Sequence, residues 1–311
     1  MDAKNATWLQ RHFSTFVVAY SGGKDSTATL LWSLENLPRE RLRVVFCDTG
    51  AEWPETYDYL EYIERELRIV IERVRIGDRP LPLGRNGKLT HDKFRGVKGG
   101  LFDLVRARGK WPNAKYRYCT QYLKRHPLDL RCDEFSNPVK IFGQRAQESA
   151  ARARMTMFDL TGNNTRHPIY RPVLKWSERE VWEYLRIHHI LPNPVYNYAT
   201  RCGCWCCIMG RRVEVLNFCR LHPDIAQKAA DLEREIGHTW TERQSIGNLL
   251  KQAQAQMCLL DAPPRFAAAA AFSDQRIHAA PVTIYMPEIR QLPSPQADEG
   301  CEGEDVIDIP F

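Results

Sequence analysis

The 311-residue sequence predicts an α/β protein with a doubly wound, mostly parallel sheet and a C-terminal helical region that carries a cysteine cluster. Three observations support this prediction. Short apolar runs alternate with helical patterns, a glycine-containing turn directly follows the first apolar run, and five of the ten cysteines lie close together late in the chain. Alternating strands and helices are typical of a parallel sheet with helices on both faces.

The first half of the chain supplies the predicted strands. Short apolar runs bounded by turn residues are typical of buried strands, and Leu30, Leu31 and Leu34 mark one face of the helix after the first run. Pro54 suits the first position of the next helix, where its missing N–H costs nothing. The predicted strands are 15–20, 42–47, 69–75 and 138–142, and the predicted helices of this half are 26–35 and 54–67.

The second half is predicted to be helical. Ser177 and Glu180 form a capping box at the start of one helix. A second helix over 223–236 can end at Gly237, and a third is expected from about 241 to 257. These patterns divide the chain into an α/β domain, a cysteine-rich helical region and an acidic tail that we expect to be poorly ordered, over 1–200, 201–262 and 263–311.

Hydropathy and charge narrow the class of protein. No run of eighteen apolar residues occurs and the N-terminus lacks the apolar segment of a secretory signal, so we expect a cytoplasmic protein without membrane association. The net charge of +6 includes six acidic residues and no basic one in 298–308, which leaves +12 for the remainder. Residues 88–125 carry eleven Lys or Arg and two Asp, a composition suited to a phosphate-rich partner.

The turn after the first strand has the composition of a phosphate-binding loop. Gly22 and Gly23 let backbone N–H groups approach an anion, and the following helix points its positive end at the same place. Lys24 adds a full charge. An open α/β sheet binds ligands at this carboxyl edge. We call this segment the phosphate loop; it consists of Ser21, Gly22, Gly23, Lys24, Asp25 and Ser26.

The phosphate loop resembles the signature of the PP-loop ATP pyrophosphatases, or adenine nucleotide α-hydrolases. Three further segments resemble the phosphoadenosine phosphosulfate reductase-like branch of that superfamily. They are DTG-x-E-x-PET from Asp48, CT-x-x-LK-x-x-P from Cys119 and GxRxxES from Gly143. The resemblance spans about residues 15–240. It implies the same fold and a site for ATP with Mg²⁺.

The matched segments also supply candidate site residues. Asp48 follows the second strand, where a carboxylate can bind a ribose hydroxyl or a metal held by phosphate. Arg145 can bind phosphate oxygens in a bidentate manner, and Glu148 can orient it or bind metal, whereas we expect Arg152 to form a surface ion pair. Lys24, Asp48 and Arg145 are the candidate catalytic residues. The nucleotide-binding candidates are the six loop residues with Asp48, Gly143, Arg145 and Glu148.

A run of cysteines between the helix that begins at Ser177 and the helix over 223–236 suggests a metal site. Cys204 and Cys207 form a CxxC pair, which lets two thiolates bind one metal from a tight turn. Cys119, in a matched motif, is the expected third ligand and Cys202 the expected fourth. Four thiolates suit both Zn²⁺ and an iron–sulfur cluster. The alternatives for the fourth ligand are Cys206 and Cys219, and the expected core cysteines are Cys47, Cys132 and Cys258.

A second resemblance bears on the choice of metal. Residues 203–207, GCWCC, resemble the GCWxC element of the ATP pyrophosphatases of DNA phosphorothioation systems and of phage relatives. Those enzymes are associated with a 4Fe–4S cluster. The resemblance therefore implies a 4Fe–4S cluster, with Zn²⁺ as the alternative and a disulfide relay third.

Together these features predict an ATP pyrophosphatase that adenylylates an acceptor, a nucleic-acid phosphate, for sulfur transfer. The basic stretch 88–125 is expected to follow a nucleic-acid backbone, with Trp111, Tyr116 and Tyr118 stacking on bases, or else to dock a cysteine desulfurase. A sulfonucleotide reductase is the second interpretation, although Cys301 lacks the ECG-x-H context of such enzymes. A non-catalytic nucleotide-binding protein is the third.

Overall fold

The computed structural model describes residues 2–78, 97–160 and 166–259, and six strands among them form one sheet. The strands are β1 (Thr15–Tyr20), β2 (Leu42–Cys47), β3 (Ile71–Val74), β4 (Pro138–Phe142), β5 (Phe158–Asp159) and β6 (Ile169–Tyr170). Their order is β3-β2-β1-β4-β6-β5, and every neighbouring pair is parallel except β5 with β6. The predicted mostly parallel sheet is therefore confirmed.

Helices precede, connect and follow the strands. They are α1 (Asp2–His12), α2 (Lys24–Asn36), α3 (Pro54–Leu67), α4 (Leu101–Arg108), α5 (Tyr118–Thr120), α6 (His126–Cys132), α7 (Ala150–Ala153), α8 (Glu178–Ile187), α9 (Arg212–Leu221), α10 (Pro223–Ile236) and α11 (Ile246–Leu259). A π-helical stretch, Gln121–Arg125, joins α5 to α6 without a break. Such stretches are frequent at functional sites.

The central strand β1 is buried on both faces, as a parallel sheet covered by helices requires. Because side chains alternate along a strand, Val17 joins a cluster with Leu128 of α6, while Phe16 and Val18 join the cluster on the other face with Leu30 of α2. Helices therefore cover both faces of the sheet, and the carboxyl ends of β1, β2 and β4 lie side by side at one edge.

Most predicted helix ends agree with the structure. At the start of α8, Ser177 Oγ accepts from the Glu180 N–H at 3.2 Å and the Glu180 carboxylate accepts from the Ser177 N–H at 2.6 Å, so the capping box is confirmed. Gly237 ends α10 with a φ of +63°, a left-handed conformation that glycine adopts without strain.

The predicted start of the last helix at residue 241 is wrong. Thr241 and Gln244 close a short turn, and α11 begins at Ile246. The buried carboxylate of Glu233, in α10, accepts hydrogen bonds from the N–H groups of Trp240, Ile246 and Gly247. A long-range carboxylate therefore caps α11, and local sequence gives no sign of that cap.

The helices α9, α10 and α11 pack against one another and on α4, and they form a second apolar core. Trp53, just before α3, belongs to this core and packs edge-on against Phe218 at 5.0 Å between ring centroids. The cysteine-rich region is thus attached to the carboxyl edge of the sheet. No helix in the described ranges is long and apolar enough to span a membrane. The predicted tail 263–311, with Cys301, lies outside the described residues.

Candidate functional site

The backbone of the phosphate loop is fixed from both sides. Gly22 has a φ of +74°, and a Cβ there would lie 3.1 Å from Thr56 Cγ2. The Asn193 side chain donates to the Gly22 carbonyl at 3.0 Å. Within the loop, Ser26 Oγ donates to the Gly23 carbonyl at 2.8 Å and accepts from Ser21 Oγ at 3.1 Å. The serine hydroxyls therefore shape the loop in this structure.

The first turn of α2 presents backbone donors at this loop. Gly23 precedes α2 and supplies no side-chain cap. The Lys24 N–H donates to Tyr196 Oη at 2.9 Å. Gly143, at the end of β4, packs so closely that a Cβ there would lie 2.6 Å from the Asp25 carbonyl oxygen. A helix N-terminus without a side-chain cap, reinforced by a lysine, is a suitable site for an anion.

The Lys24 ammonium lies in a small, charged and aromatic recess. Its Nζ is 3.3 Å from Glu178 Oε1 and 3.4 Å from Asp25 Oδ2. The rings of Trp182 and Tyr196 lie 5.9 and 5.6 Å from Nζ, and the side chain is only 9% exposed. Both carboxylates can exchange for phosphate oxygens, so the lysine is positioned to bind an incoming nucleotide.

The β4 motif packs beside the same turn. Arg145 is buried and its Nε donates to the Asp25 carboxylate. Its backbone N–H donates to Glu148 Oε2 at 2.8 Å, and Glu148 in turn pairs with Arg152. The structure thus brings Lys24, Asp25, Arg145 and Glu148 together, with Glu148 fixing the backbone from which Arg145 extends.

Asp48 lies at the carboxyl end of β2, but protein donors occupy its carboxylate. Oδ1 accepts from the Gly50 N–H and from Tyr57 Oη, both at 2.8 Å, and Oδ2 accepts from two nitrogens of Arg75. A carboxylate offers about four acceptor positions. In this arrangement Asp48 holds the end of β2 to Arg75 after β3, and a ribose hydroxyl or Mg²⁺ would have to replace one of these donors.

The cysteine segment, residues 201–208, is attached to the chain that follows β2. Cys204 pairs with Glu52 in an isolated antiparallel bridge, and the Trp205 N–H donates to the Ala51 carbonyl at 3.0 Å. Cys204 Sγ lies 3.1 Å from Thr49 Oγ1 and 3.7 Å from Glu52 Oε1. Burial raises the pKa of Glu52, whereas the hydrogen bond that Cys204 donates to it acts in the opposite direction.

Four thiols interact electrostatically with one another. Burial raises the pKa of Cys119, and Cys207 adds to that effect. Burial also raises the pKa of Cys206, with further contributions from its neighbours Cys204, Cys207 and Cys119. Burial alone would lower the pKa of Lys124, in the π-helical stretch, but Cys204 and the surrounding anions hold it above its ordinary value. Lys124 thus supplies positive charge beside the thiols.

The predicted fourth ligand, Cys202, does not join this group. A Cβ on Gly23 would lie 3.5 Å from Cys202 Cβ, and the Cys202 thiol hydrogen-bonds with Tyr196. It therefore packs on the phosphate loop, where burial raises its pKa to about 12. Cys219 is buried in the helical core near Glu233. Cys206 interacts electrostatically with the other three thiols, whereas the pKa values of Cys202 and Cys219 are set by burial and by groups other than these thiols.

The thiols can be compared with the two candidate metal centres. Among the described residues, no three His, Cys, Asp or Glu side chains converge as a single metal ion requires. A zinc ion needs all its sulfurs at about 2.3 Å from one point. An iron–sulfur cluster also takes four thiolates, so the donor chemistry of Cys119, Cys204, Cys206 and Cys207 suits either metal centre.

Part of the basic stretch is not available to a partner. Trp111 and Tyr118 are 3% and 7% exposed and belong to the apolar core, so the prediction that they stack on bases is wrong. Tyr116 is 64% exposed. Lys88, Lys93 and Arg95 lie outside the described residues. Burial of alternate aromatic side chains in a polar loop depends on tertiary packing, which charge patterning does not reveal.

Several site residues were missed in the sequence. Asn193 and Tyr196 bind the phosphate loop from the turn after α8, and Trp182 and Glu178 reach Lys24 from α8 itself. The only local signal was a polar and aromatic Asn-Pro-Val-Tyr turn placed in a loop, which is where binding residues concentrate. Arg75, at the end of β3, carried no signal of its pairing with Asp48.

Two curated proteins are similar to this chain in sequence. A protein of Escherichia phage 186, described as an uncharacterized 37.8 kDa protein, is 32% identical over 252 residues, which cover 71% of this chain and 75% of the phage protein. The adenosine 5′-phosphosulfate reductase of Allochromatium vinosum is 29% identical over 188 residues, covering 60% of this chain and 65% of the reductase.

Two solved structures resemble the fold at low sequence identity. A Candida auris phosphoadenylyl-sulfate reductase in a phosphate complex aligns with a TM-score of 0.47 at 13% identity. The alignment covers 66% of this chain and 88% of the reductase chain. A U34-tRNA thiolase from Methanococcus maripaludis with its 4Fe–4S cluster has a TM-score of 0.39 at 13% identity, covering 88% of this chain and 84% of its own.

The family profile described as the phosphoadenosine phosphosulfate reductase domain matches residues 15–82 and 102–209. The matched ranges contain β1 through β6, the phosphate loop, Arg145 beside it and the whole cysteine segment. The chain therefore belongs to the phosphoadenosine phosphosulfate reductase domain family.

Proposed function

We propose that this protein is an ATP pyrophosphatase that adenylylates an acceptor, a nucleic-acid phosphate, for sulfur transfer. One observation carries the proposal. The cysteine segment pairs with residues 51–52, and its first cysteine, Cys202, packs on the phosphate loop. Groups that bind anions and groups that bind sulfur or iron therefore share one edge of the sheet.

In the proposed reaction, an acceptor oxygen attacks the α-phosphorus of ATP. A new P–O bond forms, the bond to the β-phosphate oxygen breaks, and pyrophosphate leaves. Sulfide then attacks the activated phosphorus of the acceptor, a P–S bond forms, and the P–O bond to AMP breaks so that AMP leaves. Lys24 would exchange its carboxylate partners for phosphate oxygens, and the α2 amides would receive the charge that develops on the leaving pyrophosphate.

The metals would have different degrees of protein contact. The three carboxylates at this edge of the sheet, Asp25, Asp48 and Glu148, are each paired with an arginine. Mg²⁺ would therefore be held mainly by phosphates and water. Cys119, Cys204, Cys206 and Cys207 would hold a 4Fe–4S cluster, which supplies iron able to bind a sulfur atom. Lys124 would offset the charge of these thiolates.

The sulfonucleotide reductase interpretation retains one specific support, the similarity to the Allochromatium vinosum reductase. It requires sulfite release from a sulfonucleotide with a thiol reductant. Activity of that kind, abolished by Cys301→Ser, would replace the proposed function.

The test is a product assay with the full chain purified without oxygen. We expect AMP and pyrophosphate to form from ATP when Mg²⁺, sulfide and an oligonucleotide are present. Lys24→Ala should lower the rate about 100-fold, which is typical of removing one preorganised charge from a transition state. Lys175→Ala removes an exposed lysine just before α8 and should leave the rate unchanged. Iron-loaded protein that forms no AMP would contradict the proposal.

A further inference from the structure

The segment before Cys119 forms an ordered, exposed loop. We call residues 109–117 the Tyr116 loop. Gly109 ends α4 with a φ of +69°, and Trp111 anchors the loop in the apolar core. The Tyr116 N–H donates to Asn113 Oδ1 at 2.6 Å and to the Asn113 backbone carbonyl at 3.2 Å, and these hydrogen bonds close a turn. Tyr116 is thus held outward by a turn whose base is buried.

The exposed face of this loop is aromatic and positively charged. The Arg108 guanidinium lies 6.0 Å from the centroid of the Tyr116 ring, and Lys110, two residues further along the chain, is exposed. Neither cation forms an ion pair within the described part of the chain. Arg106, by contrast, is neutralised by Asp103 and Glu235. The free positive charge of the helix end is therefore concentrated next to Tyr116.

Aromatic side chains pack between the Tyr116 loop and the cysteine segment. Phe102 packs edge-on against Trp111 at 6.1 Å and against Trp205 at 6.3 Å between ring centroids. Trp205 lies between Cys204 and Cys206 in the chain, and Cys119 follows the loop directly in α5. Packed aromatic rings therefore connect the buried base of the Tyr116 loop to the cysteine segment.

We infer that the Tyr116 loop binds a single-stranded segment of the nucleic-acid acceptor. This inference rests on the proposed function and names the form of its acceptor. An exposed ring beside two cations matches an unpaired base and its neighbouring phosphates, since stacking on an aromatic side chain contributes about 1–3 kcal/mol per base. Bases in a duplex are already stacked and cannot cover the ring. A rigid loop loses little entropy on binding.

The experiment measures binding without ATP, so that it is independent of catalysis. Fluorescence anisotropy is recorded with a labelled single-stranded oligonucleotide of about 16 nucleotides, and with its duplex. We expect single-strand binding at least fivefold tighter than duplex binding. Tyr116→Ala should weaken it about tenfold, and Tyr116→Phe should retain it because the ring still stacks.

Charge variants provide the matched control. Lys110→Ala and Arg65→Ala each remove one exposed cation, and Arg65 is 72% exposed on α3. Only Lys110→Ala should weaken single-strand binding, and it should also reduce the salt dependence of binding. Equal affinity for the duplex, or no effect of Tyr116→Ala, would overturn the inference. If Tyr116→Ala binds the single strand normally and still converts ATP to AMP, the inference fails while the proposed function stands.

Discussion

The phosphate loop and the cysteine segment lie at the same edge of the sheet but are held in different ways. The phosphate loop lies between β1 and α2, and its conformation follows from two glycines and from hydrogen bonds made mostly within six residues. The cysteine segment has no regular helix or strand of its own. Its thiols come together only because residues 51–52, the π-helical stretch and the helical core hold it in place.

This difference explains where sequence spacing is informative. A loop set between a strand and a helix has one geometry, so its residue types indicate its chemistry. In the cysteine segment, neighbouring thiols point to different surroundings. Cys202 packs on the phosphate loop, whereas Cys204 faces Glu52 and Thr49 only two residues later. Spacing alone therefore does not assign ligands.

The largest expected effect comes from adding one methyl group to a glycine that packs against the phosphate loop, compared with the same change in the cysteine segment. In Gly143→Ala the new Cβ would lie 2.6 Å from the Asp25 carbonyl oxygen, so β4 and α2 must move apart. We expect a loss of about 3 kcal/mol in the free energy of unfolding and no measurable ATP binding. Gly203→Ala meets only the end of the Arg201 side chain, at 3.9 Å, and should change stability by less than about 0.5 kcal/mol.

Urea unfolding and ATP titration of both variants would check this prediction. A similar loss of stability in the two variants would show that the cysteine segment is as tightly constrained as the phosphate loop. The contrast between the regions would then be wrong.

The next effect distinguishes the ligand sets. Cys206→Ser should remove most of the bound iron from protein purified without oxygen, because it deletes a thiol next to Cys119, Cys204 and Cys207. Cys202→Ser should keep the iron, since Cys202 packs on Gly23 and Tyr196. Iron and sulfide analysis with visible absorption spectra would measure this. The reverse outcome would restore Cys202 as the fourth ligand.

The smallest effect concerns the link between the two regions. Tyr196 Oη accepts the Lys24 N–H that a phosphate oxygen would otherwise use, and it also bonds with Cys202. Tyr196→Phe removes this competitor and should tighten ATP binding about fivefold, which corresponds to about 1 kcal/mol. Calorimetry would show the change. Tyr184→Phe, which loses a hydroxyl bonded to Glu35, serves as the control. Weaker binding by Tyr196→Phe would mean that the hydroxyl contacts the nucleotide.

Sequence patterns predicted the parts of the molecule that depend on neighbours in the chain. Four strands of the sheet, the phosphate loop and the α8 capping box follow from local periodicity and spacing, whereas the two-residue strands β5 and β6 are too short to show a period and were not predicted. Asp48 was placed correctly at the end of β2, but its pairing with Arg75 depends on the neighbouring strand β3. The start of α11 depends on Glu233 from another helix. Such contacts are set by tertiary packing, and a single sequence does not encode them in any short pattern.

The bridge between Glu52 and Cys204 joins residues that are separated by 152 positions in the chain. At about 5–20 residues per second, the ribosome makes the second partner roughly ten to thirty seconds after the first. All six strands precede Cys204 in the chain, so the sheet can form before the cysteine segment is complete. The cluster proposed above would therefore be completed late in biosynthesis, and a nascent chain truncated before residue 204 would contain all six strands but lack Cys204, Cys206 and Cys207.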